Sequence, residues 1–180
     1  MKWYFNQDTA FYNQGRGYIM SYLTAVGITV GILAGVWCFI ADTSGLTGFV
    51  GFLGWATYFA AGGGKNGVVS GLASNLSGVI WGVLTTLICG CFAGIPYYFF
   101  TIIFAAIMCW QARFQLLGFI PGTFIGNAAY YAAAAVGYRI TDNPFTGAVL
   151  TAVGLACGIF LGLLSDISAK KISRVEEVSE

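Results

Sequence analysis

The segment GFIPGTFIG, residues 118–126, lies inside an apolar stretch that otherwise has the composition of a membrane helix. Proline lacks the N–H that a helix interior requires, and glycine adds conformational freedom, so Pro121 followed by Gly122 favours a break in the helix. A broken helix in lipid exposes polar backbone groups, which are tolerated where protein or a water-filled cavity surrounds them. The segment therefore predicts either a pathway lined by backbone groups or a kink that only aids packing.

The composition of the whole chain agrees with a membrane location. The chain has 180 residues, of which 58% are hydrophobic and 8% charged, and its mean hydropathy is +0.78. Soluble domains have about 25% charged residues, so we predict an integral protein of the lipid bilayer. Residues 1–17 are polar and aromatic, without the apolar stretch of a cleaved signal peptide. The net charge of +1 gives no indication of a nucleic-acid partner.

Apolar segments long enough to cross a bilayer need about 20 residues, with 17–25 tolerated. The sequence predicts six transmembrane helices, at about 18–41, 45–61, 67–90, 94–111, 115–137 and 144–165. They form one membrane domain, 18–165, between a cytoplasmic N-terminal segment (1–17) and a cytoplasmic tail (166–180). Asn143 followed by Pro144 is typical of a helix start.

The basic residues predict the orientation of this domain. With six spans and a cytoplasmic N-terminus, Arg139 lies on the outer side of the membrane. The other basic residues lie on the inner side: Lys2, Arg16, Lys65, Arg113, Lys170, Lys171 and Arg174. Cytoplasmic loops are enriched in Lys and Arg, so we expect both termini in the cytoplasm.

Two pairs of segments indicate an internal repeat, with halves at about 18–90 and 94–165. GFLGWATYF (51–59) aligns with GFIPGTFIG (118–126) from their Gly-Phe-aliphatic start, and SGVIWGVL (77–84) aligns with CGIFLGLL (157–164). Each half has three spans, so the second half would cross the membrane in the opposite direction. Inverted repeats of this kind are typical of transporters, whose sites lie at interrupted helices. The glycine-rich second span and the Pro-Gly pair of the fifth are the predicted interruptions.

The residues that we predict to line a solute pathway are few. Two amides and two hydroxyls lie within the spans, next to aromatic residues that are able to form a constriction and to the Pro-Gly pair. The set is Asn75, Asn127, Thr57, Thr123, Trp55, Tyr58, Phe124, Pro121 and Gly122. The alternative for both Asn residues is helix–helix hydrogen bonding, and for the aromatic residues it is packing.

Glycines at four-residue spacing predict faces where helices pack closely. These are Gly27, Gly31, Gly35, Gly78, Gly82, Gly154, Gly158 and Gly162. The five cysteines lie in or beside apolar segments and are expected to be small buried residues, with a redox or soft-metal pair at Cys89 and Cys91 as the alternative. The chain has no His, and no charged residue lies near the centre of a span. We therefore expect no proton relay, enzyme activity, metal or cofactor.

The phrases GFLGWATYFAAGGGKNG, SGVIWGVL and GFIPGTFIGNAAYY resemble the YcdZ-like family of small bacterial inner-membrane proteins, whose function is unknown. The resemblance covers about residues 22–165. It implies a multi-span helical protein of the bacterial cytoplasmic membrane, and it supplies no substrate and no functional residues.

Together these observations favour a channel or facilitator for a small polar solute, neutral or weakly charged, such as urea, ammonia or a short amide. The alternative is a membrane subunit or scaffold that carries no solute and assembles through its glycine faces. A continuous polar path in each protomer would favour transport, and an occluded core with an exposed glycine face would favour the scaffold. The small size of the protomer predicts a homo-oligomer.

Overall fold

The computed structural model describes residues 21–92, 94–137 and 143–173. Within them the chain forms six α-helices, which follow the order of the six predicted spans. They are α1 (Tyr22–Ser44), α2 (Gly48–Ala60), α3 (Gly64–Cys91), α4 (Tyr97–Trp110), α5 (Ile120–Ala135) and α6 (Pro144–Ile172). Short 3-10 turns, Gln111–Arg113 and Gln115–Leu117, connect α4 to α5. The predicted N-terminal segment and the loop that carries Arg139 lie outside the described residues.

The helices differ in length. Among the described residues, α1, α3 and α6, with 23, 28 and 29 residues, are long and apolar enough to cross a membrane. The helices α2, α4 and α5 have 13, 14 and 16 residues. At 1.5 Å per residue these span about 20–24 Å, less than a hydrocarbon core of about 30 Å. The protein is thus an all-helical membrane protein with three helices of full spanning length in the described part of the chain.

The predicted break in the middle of the fifth span is wrong. Helix α5 begins at Ile120, so Pro121 lies in its first turn. The N–H groups of a first turn have no intrahelical partner, and proline is therefore well suited to this place. Helix α2 also runs without interruption. At the start of α6 the prediction is confirmed, because the Asn143 side chain accepts hydrogen bonds from the first turn and Pro144 opens the helix.

Glycines bring α2 and α6 into contact through their main chains. A Cβ atom built on Gly54 of α2 would overlap the carbonyl of Leu155 in α6. A Cβ atom on Gly158 of α6 would overlap the carbonyl of Gly51 in α2. Any larger residue at either glycine would push the two helices apart.

The pair α3 and α5 makes the same kind of contact. Gly78 of α3 lies against the carbonyl of Thr123, and Gly126 of α5 lies against the carbonyl of Asn75. In lipid, where helices gain little from hydrophobic burial, such close approach supplies van der Waals energy. The centre of the core is therefore built from α2, α3, α5 and α6, and α1 and α4, which have fewer buried residues, pack around it.

The α2–α6 and α3–α5 contacts have the same pattern of glycines and carbonyls, so residues of one pair of helices have counterparts in the other pair. These contacts equate GFLGWATY (51–58) with TFIGNAAY (123–130), and NLSGVIWG (75–82) with LACGIFLG (155–162). The second pairing agrees with the predicted alignment. The first corrects it, because the sequence alignment placed GFL (51–53) on GFI (118–120). That local match gives no information on which carbonyl each glycine faces.

The predicted packing glycines fall into two groups. Five of them make close contacts in the core: Gly78, Gly82, Gly154, Gly158 and Gly162. The three on α1, Gly27, Gly31 and Gly35, are exposed and would leave an added Cβ with no neighbour within 4 Å. The close packing predicted for them is absent from the described chain, because α1 packs on α6 and α2 through a different face, which includes Ala25, Thr29 and Trp37.

Gly78→Ala should destabilise the protein, because the added methyl group would overlap the carbonyl of Thr123, a backbone atom that cannot rotate away. Gly158→Ala should act in the same way on Gly51. Overpacking costs about 1–3 kcal/mol, so the midpoint of thermal unfolding in detergent, followed by tryptophan fluorescence, should fall for both variants. Gly90→Ala, also in α3 but with no atom within 4 Å, is the matched control. A Gly78→Ala midpoint equal to that of the control would contradict the contact.

Candidate functional site

A cavity of about 460 Å³ lies between α3, α4 and α5, and we call it the α3–α5 cavity. Its walls are formed by Thr85, Thr86 and Cys89 of α3, Tyr97, Thr101, Phe104, Ala105 and Met108 of α4, and Phe124, Asn127 and Tyr131 of α5. Binding pockets for small molecules have volumes of about 300–1,000 Å³. The cavity is therefore large enough for a small organic molecule.

Five polar side chains of this cavity donate hydrogen bonds to the backbone. Each bond ends on a carbonyl oxygen of α3 or α4. The bonds are Thr85 Oγ1 to Trp81 O (2.7 Å), Thr86 Oγ1 to Gly82 O (3.0 Å), Thr101 Oγ1 to Tyr97 O (3.2 Å), Tyr131 Oη to Gly82 O (3.3 Å) and Asn127 Nδ2 to Gly78 O (3.4 Å). The side-chain oxygens retain lone pairs that are able to accept further hydrogen bonds.

The place beside the α2–α6 contact that corresponds to this cavity is filled. The glycine contacts align Trp55 with Asn127, and they align Ser165 with Thr85. The indole of Trp55 is 4% exposed, and its Nε1 donates to Ser165 Oγ at 3.2 Å. The cavity therefore occurs where the smaller Asn127 stands in the position that Trp55 fills on the other side.

A second polar group lies buried in the core. Thr57 Oγ1 lies 2.9 Å from the carbonyl of Leu53 and 3.2 Å from Asn75 Oδ1. Among the described residues, Ser74 Oγ, Asn75 Nδ2 and Thr151 Oγ1 are buried without a hydrogen-bond partner. An unsatisfied buried polar group costs about 1–3 kcal/mol. This part of the core thus retains hydrogen-bonding capacity that water or a solute is able to use.

Gln111 connects the end of α4 to α3 and α5. Its Oε1 accepts from Ser77 Oγ at 2.8 Å and from Trp81 Nε1 at 2.9 Å. Its Nε2 donates to Thr123 Oγ1 at 2.9 Å. The amide therefore fixes the helix that forms one wall of the cavity.

Asp166 connects four helices at the other side of the molecule. Its carboxylate accepts from the hydroxyls of Tyr22 (2.7 Å) and Tyr58 (2.9 Å) and from Lys170 Nζ (2.8 Å). The Tyr58 hydroxyl in turn accepts from the backbone N–H of Gly64 at 2.8 Å. These bonds join the start of α1, the end of α2 and the start of α3 to α6.

The structure separates the nine predicted pathway residues into three groups. Asn127 and Phe124 line the cavity. Five are buried in the core: Trp55, Thr57, Tyr58, Asn75 and Thr123. Pro121 and Gly122 form the first turn of α5, where Gly122 packs against Phe119 and Ser74.

Two connecting residues, Asp166 and Gln111, were not among the predicted site residues. Asp166 was assigned to the cytoplasmic tail, yet α6 continues through Ile172 and the side chain of Asp166 is almost completely buried. The spacing of Asp166 and Lys170, four residues apart, is a signal for a longer helix. Gln111 has no such signal, because its partners lie on other helices.

The cysteines are free thiols. The predicted burial is wrong for Cys38, Cys91 and Cys109, which are exposed on the protein surface. Around a membrane helix that surface meets lipid, where an apolar thiol needs no protein cover. Cys89 is partly buried and lines the α3–α5 cavity.

Long apolar helices packed through glycines, with internally bonded polar groups, define an α-helical integral membrane protein. The identification is made more specific by a family match over residues 27–170. The chain belongs to the family described as protein of unknown function DUF1097. The resemblance to YcdZ-like proteins is confirmed by the relatives.

Three relatives show how far the similarity extends. The uncharacterized protein YahC of Escherichia coli K12 is 35% identical over 167 residues, which cover 86% of this chain and 94% of YahC. The inner membrane protein YcdZ of the same strain is 36% identical over 165 residues, 88% of this chain and 98% of YcdZ. The YcdZ of Salmonella typhimurium is 41% identical over 118 residues, 63% of this chain and 72% of that protein. No solved structure matches the chain.

Gln111→Leu should lower the stability of the protein, because it leaves Ser77, Trp81 and Thr123 without their amide partner. The expected loss is about 1–3 kcal/mol for each buried group left unsatisfied, measured by unfolding in mixed micelles of increasing SDS content. The control is Gln115→Leu, since Gln115 is exposed in the same connection between α4 and α5. Equal losses for the two variants would contradict the role of Gln111.

Proposed function

We propose that this protein is a channel or facilitator for a small polar solute, neutral or weakly charged, in the bacterial cytoplasmic membrane. Urea, ammonia and short amides are the first solutes to test. The observation that carries the proposal is the α3–α5 cavity, which occurs where Asn127 stands in the place of Trp55. The YcdZ relatives are named inner membrane proteins, which supports the location.

The proposed arrangement is an inverted repeat of three plus three helices with both termini cytoplasmic. The contacts of α2 with α6 and of α5 with α3 support this arrangement. A two-fold axis that places α2 on α5 and α6 on α3 converts one contact into the other. With an odd number of spans in each half, this axis lies in the membrane plane. The basic residues Lys65, Arg113 and Lys170 then share the cytoplasmic side.

This orientation gives the cavity a direction. Cys89, near the end of α3, and Tyr97, at the start of α4, lie toward the periplasmic side. The Trp55–Ser165 contact and the Asp166 group lie toward the cytoplasm. We therefore propose that solute enters the cavity from the periplasm and that Trp55 closes the opposite side.

The route between the two sides passes through the buried polar core. Gly126, the neighbour of Asn127, lies against the backbone of Asn75, and Asn75 in turn contacts Thr57. Asn75 Nδ2 is buried without a partner. A solute that leaves the cavity would meet this amide next, so the conformation described is a closed one.

The proposal is tested by changing each of the two equivalent residues, Asn127 and Trp55, to the other type. The first measurement is the uptake of urea, formamide and methylamine into proteoliposomes. Asn127→Trp should fill the cavity and reduce uptake to near the level of empty liposomes. Ala128→Trp adds the same side chain one residue further along α5, at an exposed position, and should leave uptake unchanged. Equal uptake by the Asn127→Trp and parent proteins, or no uptake above empty liposomes for any solute, would contradict the proposed function.

The reverse change, Trp55→Asn, should open the cytoplasmic side. In a background without the native cysteines, Ser165→Cys should react with a membrane-impermeant maleimide in inside-out vesicles once Trp55 is replaced. With Trp55 present, the same cysteine should stay protected. Equal labelling of both proteins would show that Trp55 does not close this side.

A second candidate function, a membrane scaffold, is favoured by the exposed glycines of α1. Gly27, Gly31 and Gly35 follow each other at four-residue spacing on an open surface, which suits close contact with α1 of a second copy. Gly31→Leu should then reduce the mass of the detergent-solubilised complex in light scattering, and Gly90→Leu, also at an open glycine, should not. An unchanged mass for Gly31→Leu would remove the support for assembly through α1.

A further inference from the structure

We infer that the α3–α5 cavity binds a small aliphatic primary amine in its protonated form. The inference rests on the proposed function for the location of the solute site, and it extends the class of solute from neutral or weakly charged molecules to small organic cations. The ammonium group would donate to the oxygens of Thr86, Thr101 and Asn127, and the alkyl chain would lie on the aromatic rings of the cavity.

The hydrogen bonds of the cavity decide which ligand groups it favours. A hydroxyl has one hydrogen and two lone pairs. Thr86 and Thr101 give their hydrogens to the carbonyls of Gly82 and Tyr97, at 3.0 and 3.2 Å. Toward a ligand these oxygens are therefore acceptors only, and the bound molecule has to supply the hydrogens.

Asn127 adds to this preference. Its Nδ2 donates to the carbonyl of Gly78 at 3.4 Å, so its Oδ1 is left as an acceptor beside one remaining N–H. A primary ammonium has three N–H donors and no acceptor, which matches a wall rich in acceptor oxygens. A carboxylate has acceptors only and would find few donors there.

Much of the remaining wall is aromatic, and its other residues, which include Cys89, Ala105 and Met108, are uncharged. The rings of Tyr97, Phe104, Phe124 and Tyr131 line the cavity, and no lining residue carries a charge. Aromatic faces attract ammonium groups and also accommodate alkyl chains. The cavity thus offers stabilisation for a cation without a lysine or arginine that would repel it.

The size of the cavity indicates more than ammonia. A volume of about 460 Å³ is many times that needed for one water molecule or one ammonia. An amine with a few carbon atoms fills part of this volume and displaces water from the rings.

The test measures binding to the purified protein in detergent by calorimetry at pH 7, with three probes of one chain length. n-Butylammonium carries the positive charge and the N–H donors, n-butyltrimethylammonium carries the positive charge alone, and n-pentanoate carries a negative charge and acceptors on the same butyl chain. We expect n-butylammonium to bind about tenfold or more tightly than either of the others, since one hydrogen bond to a charged group contributes about 1.5–3 kcal/mol. Equal binding of n-butylammonium and either of the other probes would overturn the inference.

Variants connect the preference to the oxygens of the cavity. Thr86→Val with Thr101→Val keeps the shape of both side chains and should weaken n-butylammonium binding about tenfold or more. Thr101→Val alone is used if the double variant does not fold. Thr43→Val is the matched control, because the Thr43 hydroxyl also donates to a helix carbonyl, at 2.9 Å, but lies on α1 away from the cavity. Unchanged affinity in the cavity variants would overturn the assignment.

Failure of the inference and failure of the proposed function give different results. Amine binding that depends on Thr101, without uptake of any solute into proteoliposomes, would support the amine site and contradict transport. Uptake of urea that Asn127→Trp blocks, without amine binding, would support transport and contradict the amine site.

Discussion

The contact of helix backbones at Gly54, Gly158, Gly78 and Gly126 is the constraint on which the rest of the structure depends. Helices in lipid gain little from burying apolar side chains, so their association relies on close packing and internal hydrogen bonds. These glycines let α2 lie on α6 and α5 lie on α3. The shorter helices α2 and α5 thereby lie directly against two of the three long helices, α6 and α3.

The α2–α6 and α3–α5 contacts have the same backbone arrangement but carry different side chains, and the candidate site results from this difference. Trp55 fills the space beside Ser165, whereas Asn127 leaves the equivalent space beside Thr85 open. The backbone contacts that precede these residues are alike. The side chain at this one position therefore distinguishes the filled space at Trp55 from the cavity at Asn127, while the helices pack in the same way.

The sequence predicted those features that depend on local composition and spacing. Hydropathy gave the class of protein and the approximate places of all six helices, Asn143 and Pro144 marked the start of α6, and the glycine spacing of α3 and α6 predicted their packing faces. The prediction of a break at Pro121 is wrong because proline disrupts a helix interior but suits a first turn. Hydropathy does not show where the first turn lies within an apolar segment.

Features that depend on contacts between distant segments were beyond the sequence. The partners of Gln111 lie on α3 and α5, and those of Asp166 include residues of α1 and α2. The local match at GFI (118–120) favoured an alignment that does not pair Trp55 with Asn127. Their equivalence follows from the carbonyls that the preceding glycines, Gly54 and Gly126, face in the structure. Of the predicted pathway residues, Asn127 and Phe124 line the cavity. The threonine hydroxyls that surround them lie on faces of α3 and α4, and the spacing of apolar residues in the sequence does not distinguish these faces from the others.

The outer helices α1 and α4 differ in how many buried residues attach them to the four central helices. Helix α1 has buried residues along much of its length, from Ala25 to Ala41, and it covers the side that Trp55 fills. In α4 the buried residue is Met108, near the end that Gln111 anchors, while Tyr97 and Thr101 at the other end are exposed and form part of the cavity wall. Segments with few buried contacts open at the lowest free-energy cost. The start of α4 is therefore the part of the cavity wall expected to open most readily, and α1 the outer helix expected to stay in place.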